Sequence, residues 1–179
     1  MVGFLMAWDD IRDTLINIVV TVLACLLFTT YLYKPVMVSG TSMYPTIEDG
    51  SLGFSSVVLK NTRGIERFDI VVIHLEGEEN IIKRVIGMPG ETVSFRDDTL
   101  YINGVPLSQD FLDETYTSQY SQFTSDFEYS LGDDQYFCMG DNRPVSADSR
   151  VFGPFTAEQI VSCGLFVIYP FSQFGDASD

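Results

Sequence analysis

The sequence predicts an all-β, antiparallel domain behind one N-terminal apolar helix. Three observations predict it. Residues 15–33, LINIVVTVLACLLFTTYLY, carry no charge. From Pro35 onward, short apolar and β-branched runs alternate with turn signals such as Asp49-Gly50, Pro89-Gly90 and Asn103-Gly104. That texture belongs to many short strands. No period of about 20 to 50 residues recurs, so a repeat architecture is excluded.

Residues 1–14 read as a short tail and 15–33 as a transmembrane anchor. At 1.5 Å per residue the apolar run is roughly 28 Å long, close to the hydrocarbon thickness of a bilayer. Asp9, Asp10, Arg12 and Asp13 precede it, Lys34 follows it, and Tyr31 and Tyr33 fall where an interfacial aromatic belt lies. The run is too long for a cleaved secretory leader, no small-x-small site follows it, and no polar face interrupts it. A retained single span is expected, with residues 35–179 as the β domain. Arg12 and Lys34 place one basic residue on each side, so charge leaves the orientation open.

Val36–Val38 is a strand candidate leading into a turn, followed by a second from Ser51 to Leu59. FDIVVIHLEG (68–77) is short enough for a buried strand, and NIIKRVIGMPGE (80–91) is another, stopped by Met88-Pro89-Gly90. LYINGVPL (100–107) holds Asn103-Gly104 between two apolar arms and predicts a hairpin. Residues 108–135 carry Asp110, Asp113, Glu114, Asp126, Glu128, Asp133 and Asp134 and no base, and read as a solvated excursion. QYFCMG (135–140) resumes a strand, TAEQI (156–160) reads as one helical turn capped by Thr156, and SCGLFVIYP (162–170) closes the domain as a strand.

A formal net charge of −15, from 10 basic and 25 acidic residues, argues against nucleic acid as a partner and against polybasic lipid binding. Contact with a membrane then runs through apolar residues. Cys25, Cys138 and Cys163 form no C-x-x-C pair, and there is one histidine, so no zinc site and no cofactor are expected. Cys138 and Cys163 are able to pair, but buried free thiols are the expected state.

SGTSMYPT (39–46) places Ser42 in a small, flexible turn just beyond the apolar segment. Its hydroxyl is either a turn-former or a nucleophile. The only histidine available as a base, His74, sits near the end of an apolar strand and reads as structural. A neutral lysine does the same work. In a strand, Ile81, Lys83 and Val85 share one face and Ile82, Arg84 and Ile86 the other. Lys83 either snorkels at a strand edge or is desolvated between its apolar flanks. A free lysine with a pKa of about 10.4 is neutral in about one molecule in 2,500 at pH 7; a pKa of about 8 makes that roughly one in ten, at a cost of about 3 kcal/mol. GDNRPVSADSRVFG (140–153) is a third polar stretch. It reads as a loop with an Asp148–Arg150 ion pair, or as the source of a serine, Ser146, that orients a buried lysine.

Taken in order, SGTSMYPT, KRVIGMPGE and GDNRPVSADSRVFG resemble the sequence boxes of the type I signal peptidases of bacteria, and the compact interval between the first two resembles the Gram-positive-type members. The resemblance covers nearly the whole chain and is weakest over 108–135. It implies that Ser42 is the nucleophile and its backbone N–H an oxyanion donor, that Lys83 is the general base, and that Ser146 positions the lysine. It also implies that Arg84, Asp148 and Arg150 are structural residues near the site. Some relatives carry a hydroxyl two residues before the nucleophile; here that position is Gly40, so a second donor from that spot is absent. Lysine at position 83 resembles the bacterial type rather than the endoplasmic-reticulum type. The implied partners are signal peptides of exported preproteins, cut after small residues at Ala-x-Ala sites, and the lipid bilayer. The implied chain is a monomer, single-pass in the cell membrane, with the catalytic domain outside the cytoplasm. Two other readings stand beside this one. A self-processing Ser–Lys protease is disfavoured because no Ala-Gly occurs and Cys163-Gly164 lies far downstream of Ser42. An inactive membrane-tethered scaffold is disfavoured because all three reactive positions are present.

Overall fold

The computed structural model describes residues 2–28, 32–77 and 79–177, with side chains described from residue 11 on. Helix α1 spans Val2–Leu27. From Leu15 to Leu27 its large apolar side chains are exposed all round. The expected span 15–33 includes residues 29–31, which lie outside the described residues. Among the described residues no helix is long and apolar enough to cross a membrane.

The rest is antiparallel β structure with a few short helices, and its β character is as the sequence predicts. Strand β1 (Tyr33–Met37) leads through the Ser42 turn into β2 (Leu52–Ser56). The expected strand to Leu59 stops at Ser56, because the Ser56 hydroxyl accepts the Leu59 N–H (3.1 Å) and caps the short helix α2 (Val57–Thr62). Strands β3 (Ile70–Ile73) and β4 (Ile81–Gly87) follow. Next come β5 (Thr92–Arg96), β6 (Thr99–Ile102) and β7 (Val105–Leu107). Asn103 and Gly104 both take positive φ (52° and 79°) in the β6–β7 turn, as a two-residue primed hairpin requires. Asp97 and Asp98 do the same (50° and 61°) in the β5–β6 turn.

The acidic excursion is more ordered than the sequence suggests. It holds helix α3 (Glu114–Thr117), capped by Asp113, which accepts the Tyr116 N–H (3.0 Å). It also holds β8 (Phe127–Ser130), which pairs with β5. Then come β9 (Gln135–Met139), helix α4 (Ser149–Phe152), β10 (Phe155–Thr156), β11 (Ile160–Tyr169) and β12 (Gly175–Asp176). The helical turn expected at 156–160 is instead a tight turn joining β10 to β11, in which the Gln159 N–H donates to the Thr156 carbonyl (3.1 Å).

Two sheets result. The larger runs β1-β2-β11-β3-β4-β9-β10, with β12 on β11; the smaller runs β7-β6-β5-β8. Strand β4 is buried on both faces. Ile82 joins Val38, Met43, Ile47 and Val72 in one core cluster, and Val85 joins Val71, Ile73 and Cys138 in another. At a register shift between Val85 and Gly87, Ile86 packs with Val93, Phe95, Leu100 and Phe137 beneath the small sheet. Cys138 and Cys163 are buried free thiols. The strand carrying Lys83 is thus central to the core.

Candidate active site

The turn between β1 and β2 is anchored from below. Met43 and Ile47, 1% and 0% exposed, insert into the core on either side of the exposed Tyr44. Above them the Tyr44 N–H donates to Thr41 O (3.1 Å), and the Ile47 N–H donates to Met43 O (3.0 Å). Gly40 holds a φ of +92° and donates its N–H to Asp49 Oδ1 (2.7 Å), so the residue opening the turn is fixed in a conformation that glycine adopts without strain. Ser42 is presented between these anchors, half-buried. Its backbone N–H makes no hydrogen bond among the described residues.

Lys83 reaches the same point from β4. Its Nζ donates to Ser42 Oγ at 2.8 Å. The side chain is 3% exposed. Burial lowers its pKa from an ordinary 10.5 to about 8; Asp148 and Asp141 pull the other way, and Arg150 adds to the lowering. The two side chains line one end of a cleft of about 170 Å³, with Met37, Val38, Met43 and Ile82 among its walls.

The third stretch sits behind Ser42 and Lys83. Asp148 caps α4 and takes the Gly140 N–H (3.0 Å) and the Arg150 guanidinium (2.9 and 2.8 Å). Burial pushes its carboxyl up, but Arg150, the Gly140 N–H and the Ser146 hydroxyl outweigh that and hold it below the ordinary value. Ser146 is buried against Gly140. Its Oγ makes no well-aligned hydrogen bond but lies close enough to the Asp148 carboxyl to help hold it low, and no bond joins it to Lys83 in this structure. Arg84 points away from Ser42, into a buried ion pair with Asp141 (2.8 Å), a bond to Phe68 O (3.0 Å), and a stack on Phe111 (4.2 Å). His74 contacts Asn80 through Nδ1 (3.0 Å) and makes no bond to Ser42.

Three residues not singled out in the sequence complete the frame. Asp141 also accepts the Thr46 hydroxyl (2.7 Å), so one carboxylate ties the strand of the lysine to the turn of the serine. Asn142 donates its backbone N–H to Ser42 O and its Nδ2 to Thr41 O, both at 3.0 Å, while its Oδ1 accepts from Tyr116 OH (3.0 Å). Gly140 lets these segments touch, since a Cβ there would run into Ser42 O and Ser146 Oγ. The local signal was the polar run Gly140-Asp141-Asn142 after an apolar strand; its partners lie too far away in the chain for any local pattern to reveal.

A serine hydroxyl on a buried, pKa-lowered amine, with a free backbone N–H beside it, has the parts that nucleophilic attack on a carbonyl needs. The chain matches the family described as signal peptidase, peptidase S26, over residues 11–169. It is 39% identical over 162 residues to signal peptidase I T of Bacillus subtilis (strain 168), covering 87% of this chain and 84% of that protein. It is 32% identical over 177 residues to signal peptidase IB of Staphylococcus aureus (strain COL), covering 92% and 93%. The crystal structure of a signal peptidase I from Enterococcus faecalis V583 superposes with a TM-score of 0.52 at 39% identity, covering 55% of this chain and 95% of that one. The protein is therefore a serine peptidase, a hydrolase. The chain belongs to the signal peptidase family, peptidase S26, among its bacterial type I members.

Proposed function

We propose that this chain is a membrane-anchored endopeptidase that removes signal peptides from exported preproteins after small residues, with Ser42 as nucleophile and Lys83 as general base. The observation that carries the reading is the 2.8 Å contact between Ser42 Oγ and the buried Lys83 Nζ. With the lysine neutral, the contact reverses its sense, and the hydroxyl proton moves to nitrogen as Oγ attacks the scissile carbonyl. The Ser42 N–H is free to receive the developing oxyanion. The Lys83 ammonium then protonates the departing amine, which is the new N-terminus of the mature chain. A water activated by the same lysine releases the acyl group from Ser42.

Ser146 is the residue proposed to steady the amine. Its buried hydroxyl lies against Gly140, which the carbonyl of Ser42 also approaches, and that placement supports the role. Arg84, Asp148 and Arg150 hold the frame. The small, partly apolar cleft supports a preference for small side chains, as in an Ala-x-Ala site. The uncharged run 15–33 and the exposed apolar side chains from Leu15 to Leu27 support a single anchor. Residues 35–179 then form the catalytic domain, placed outside the cytoplasm, where the cleavage site of a membrane-spanning signal peptide emerges.

The test is cleavage of a preprotein carrying an Ala-x-Ala site by the full chain and by Ser42→Ala. Cleavage at that site by the wild type and none by the variant is the expected result. An unprocessed preprotein, or equal cleavage by the variant, overturns the reading.

A further inference from the structure

The family match ends at residue 169, yet the chain beyond it returns to the active-site turn. After β11, Phe171–Gln173 form a 3₁₀ turn, and β12 brings the chain back onto β11. The Ala177 N–H donates to Leu165 O (2.9 Å) and closes this segment on the sheet. Between the two, Gln173 reaches the stretch that joins Ser42 to β2. Its Nε2 donates to the carbonyls of Pro45 (3.2 Å) and Thr46 (3.3 Å). Its Oε1 accepts from the Glu48 N–H (3.1 Å) and the Ser51 hydroxyl (3.4 Å). The carbonyls only accept and the N–H only donates, so the partners themselves fix which way the amide faces.

We propose that Gln173 is a positioning residue for the peptidase reaction: the segment 170–177 clasps the nucleophile turn through this carboxamide and holds Ser42 in reach of Lys83. The proposal rests on the reading of Ser42 and Lys83 given above. Met43 and Ile47 pin the turn from below, and Asn142 and Asp141 hold one side of it. Gln173 holds the stretch 45–51, whose rotation would swing Ser42 away from the amine. Displacement of a reacting group by about 1 Å costs on the order of a hundredfold in rate.

The experiment uses the full chain in detergent, as wild type, Ser42→Ala, Gln173→Met and Gln173→Glu. Methionine fills similar space without the four bonds. Glutamate keeps the two acceptor contacts but sets a carboxylate oxygen against the carbonyls of Pro45 and Thr46. Cleavage of an Ala-x-Ala peptide is measured across pH, together with Tm. Both Gln173 variants are expected to lose about tenfold or more in kcat per folded molecule at unchanged KM, whatever fall in Tm the lost bonds bring. The rising limb of kcat/KM is expected to move to higher pH, because water admitted beside Lys83 relieves its desolvation. Wild-type kcat in both variants, with Ser42→Ala inactive, overturns the clasp and leaves the dyad standing. A lowered Tm with unchanged kcat per folded molecule, or unfolding of both variants, assigns Gln173 to stability and overturns the clasp as well. Activity surviving in Ser42→Ala overturns the reading of the site itself.

Discussion

Arg84 and Thr46 bind the same carboxylate, that of Asp141, at 2.8 and 2.7 Å. Arg84 follows the proposed base in β4, and Thr46 lies four residues past the proposed nucleophile. This shared partner fixes two distant segments so that Lys83 meets Ser42. The ion pair is almost wholly buried, at 1% and 0% exposure. Removing one partner leaves an uncompensated charge in the core. Asp141→Ala is expected to lower unfolding stability by about 3–5 kcal/mol, read from urea titration. A loss under about 1 kcal/mol would show that water reaches Arg84 freely.

Gly140→Ala tests the close approach behind the dyad. The added Cβ meets the backbone oxygen of Ser42, which has no side-chain freedom with which to yield. Overpacking of this kind costs about 1–3 kcal/mol, and the displaced turn is expected to cut kcat by on the order of a hundredfold. Peptide cleavage and Tm measured on one preparation check both. Unchanged turnover would mean that the turn is not held against Gly140 during the reaction.

Ser146→Ala separates an orienting role from a packing one. The Ser146 hydroxyl is buried near the Asp148 carboxyl without a well-aligned bond, so removing it is expected to change Tm little. Turnover is expected to fall by about tenfold or more. A lowered Tm with full turnover would assign Ser146 to packing.

Much of this arrangement was legible in the sequence, and the remainder was not for definite reasons. Asn103-Gly104 announces its hairpin because the turn chemistry is local. The alternation around Lys83 reads correctly because β4 is a regular strand up to its register shift after Val85. The excursion 108–135 hides β8 because its acids mask a four-residue strand that, among the described residues, pairs with β5 alone. Val57–Leu59 look like strand by composition, but the Ser56 cap decides for helix. Asp141, Asn142 and Gln173 act on the turn around Ser42 from 95 to 128 residues away. No local periodicity carries that information.

Burial of Lys83 also links pH to stability. Its folded pKa, about 8, lies below the ordinary 10.5. Below pH 8 both states carry the proton, and the fold bears the cost of a buried ammonium. Between pH 8 and about 10.5 the unfolded chain binds more protons, so this group makes stability rise with pH. The full rise is about 3 kcal/mol. Lys83→Met is expected to remove it and to be the more stable form at pH 7. Urea titrations of both forms at pH 7 and pH 10 check this; parallel pH dependence in the two would mean that the amine is hydrated in the fold.

The most direct test of the Ser–Lys dyad is Lys83→Arg. A positive charge that merely holds an ion pair survives this change. A general base does not, because arginine stays protonated at every accessible pH. The measurement is kcat/KM on an Ala-x-Ala peptide from pH 6 to pH 10, with matching circular dichroism confirming that both forms fold. For the wild type, kcat/KM is expected to rise through pH about 8, where Lys83 loses its proton. For the arginine form, activity is expected to fall below about one per cent at every pH. An arginine form that keeps more than about a tenth of the wild-type rate, or a wild type with no rise near pH 8, contradicts the assignment of Lys83 as the base.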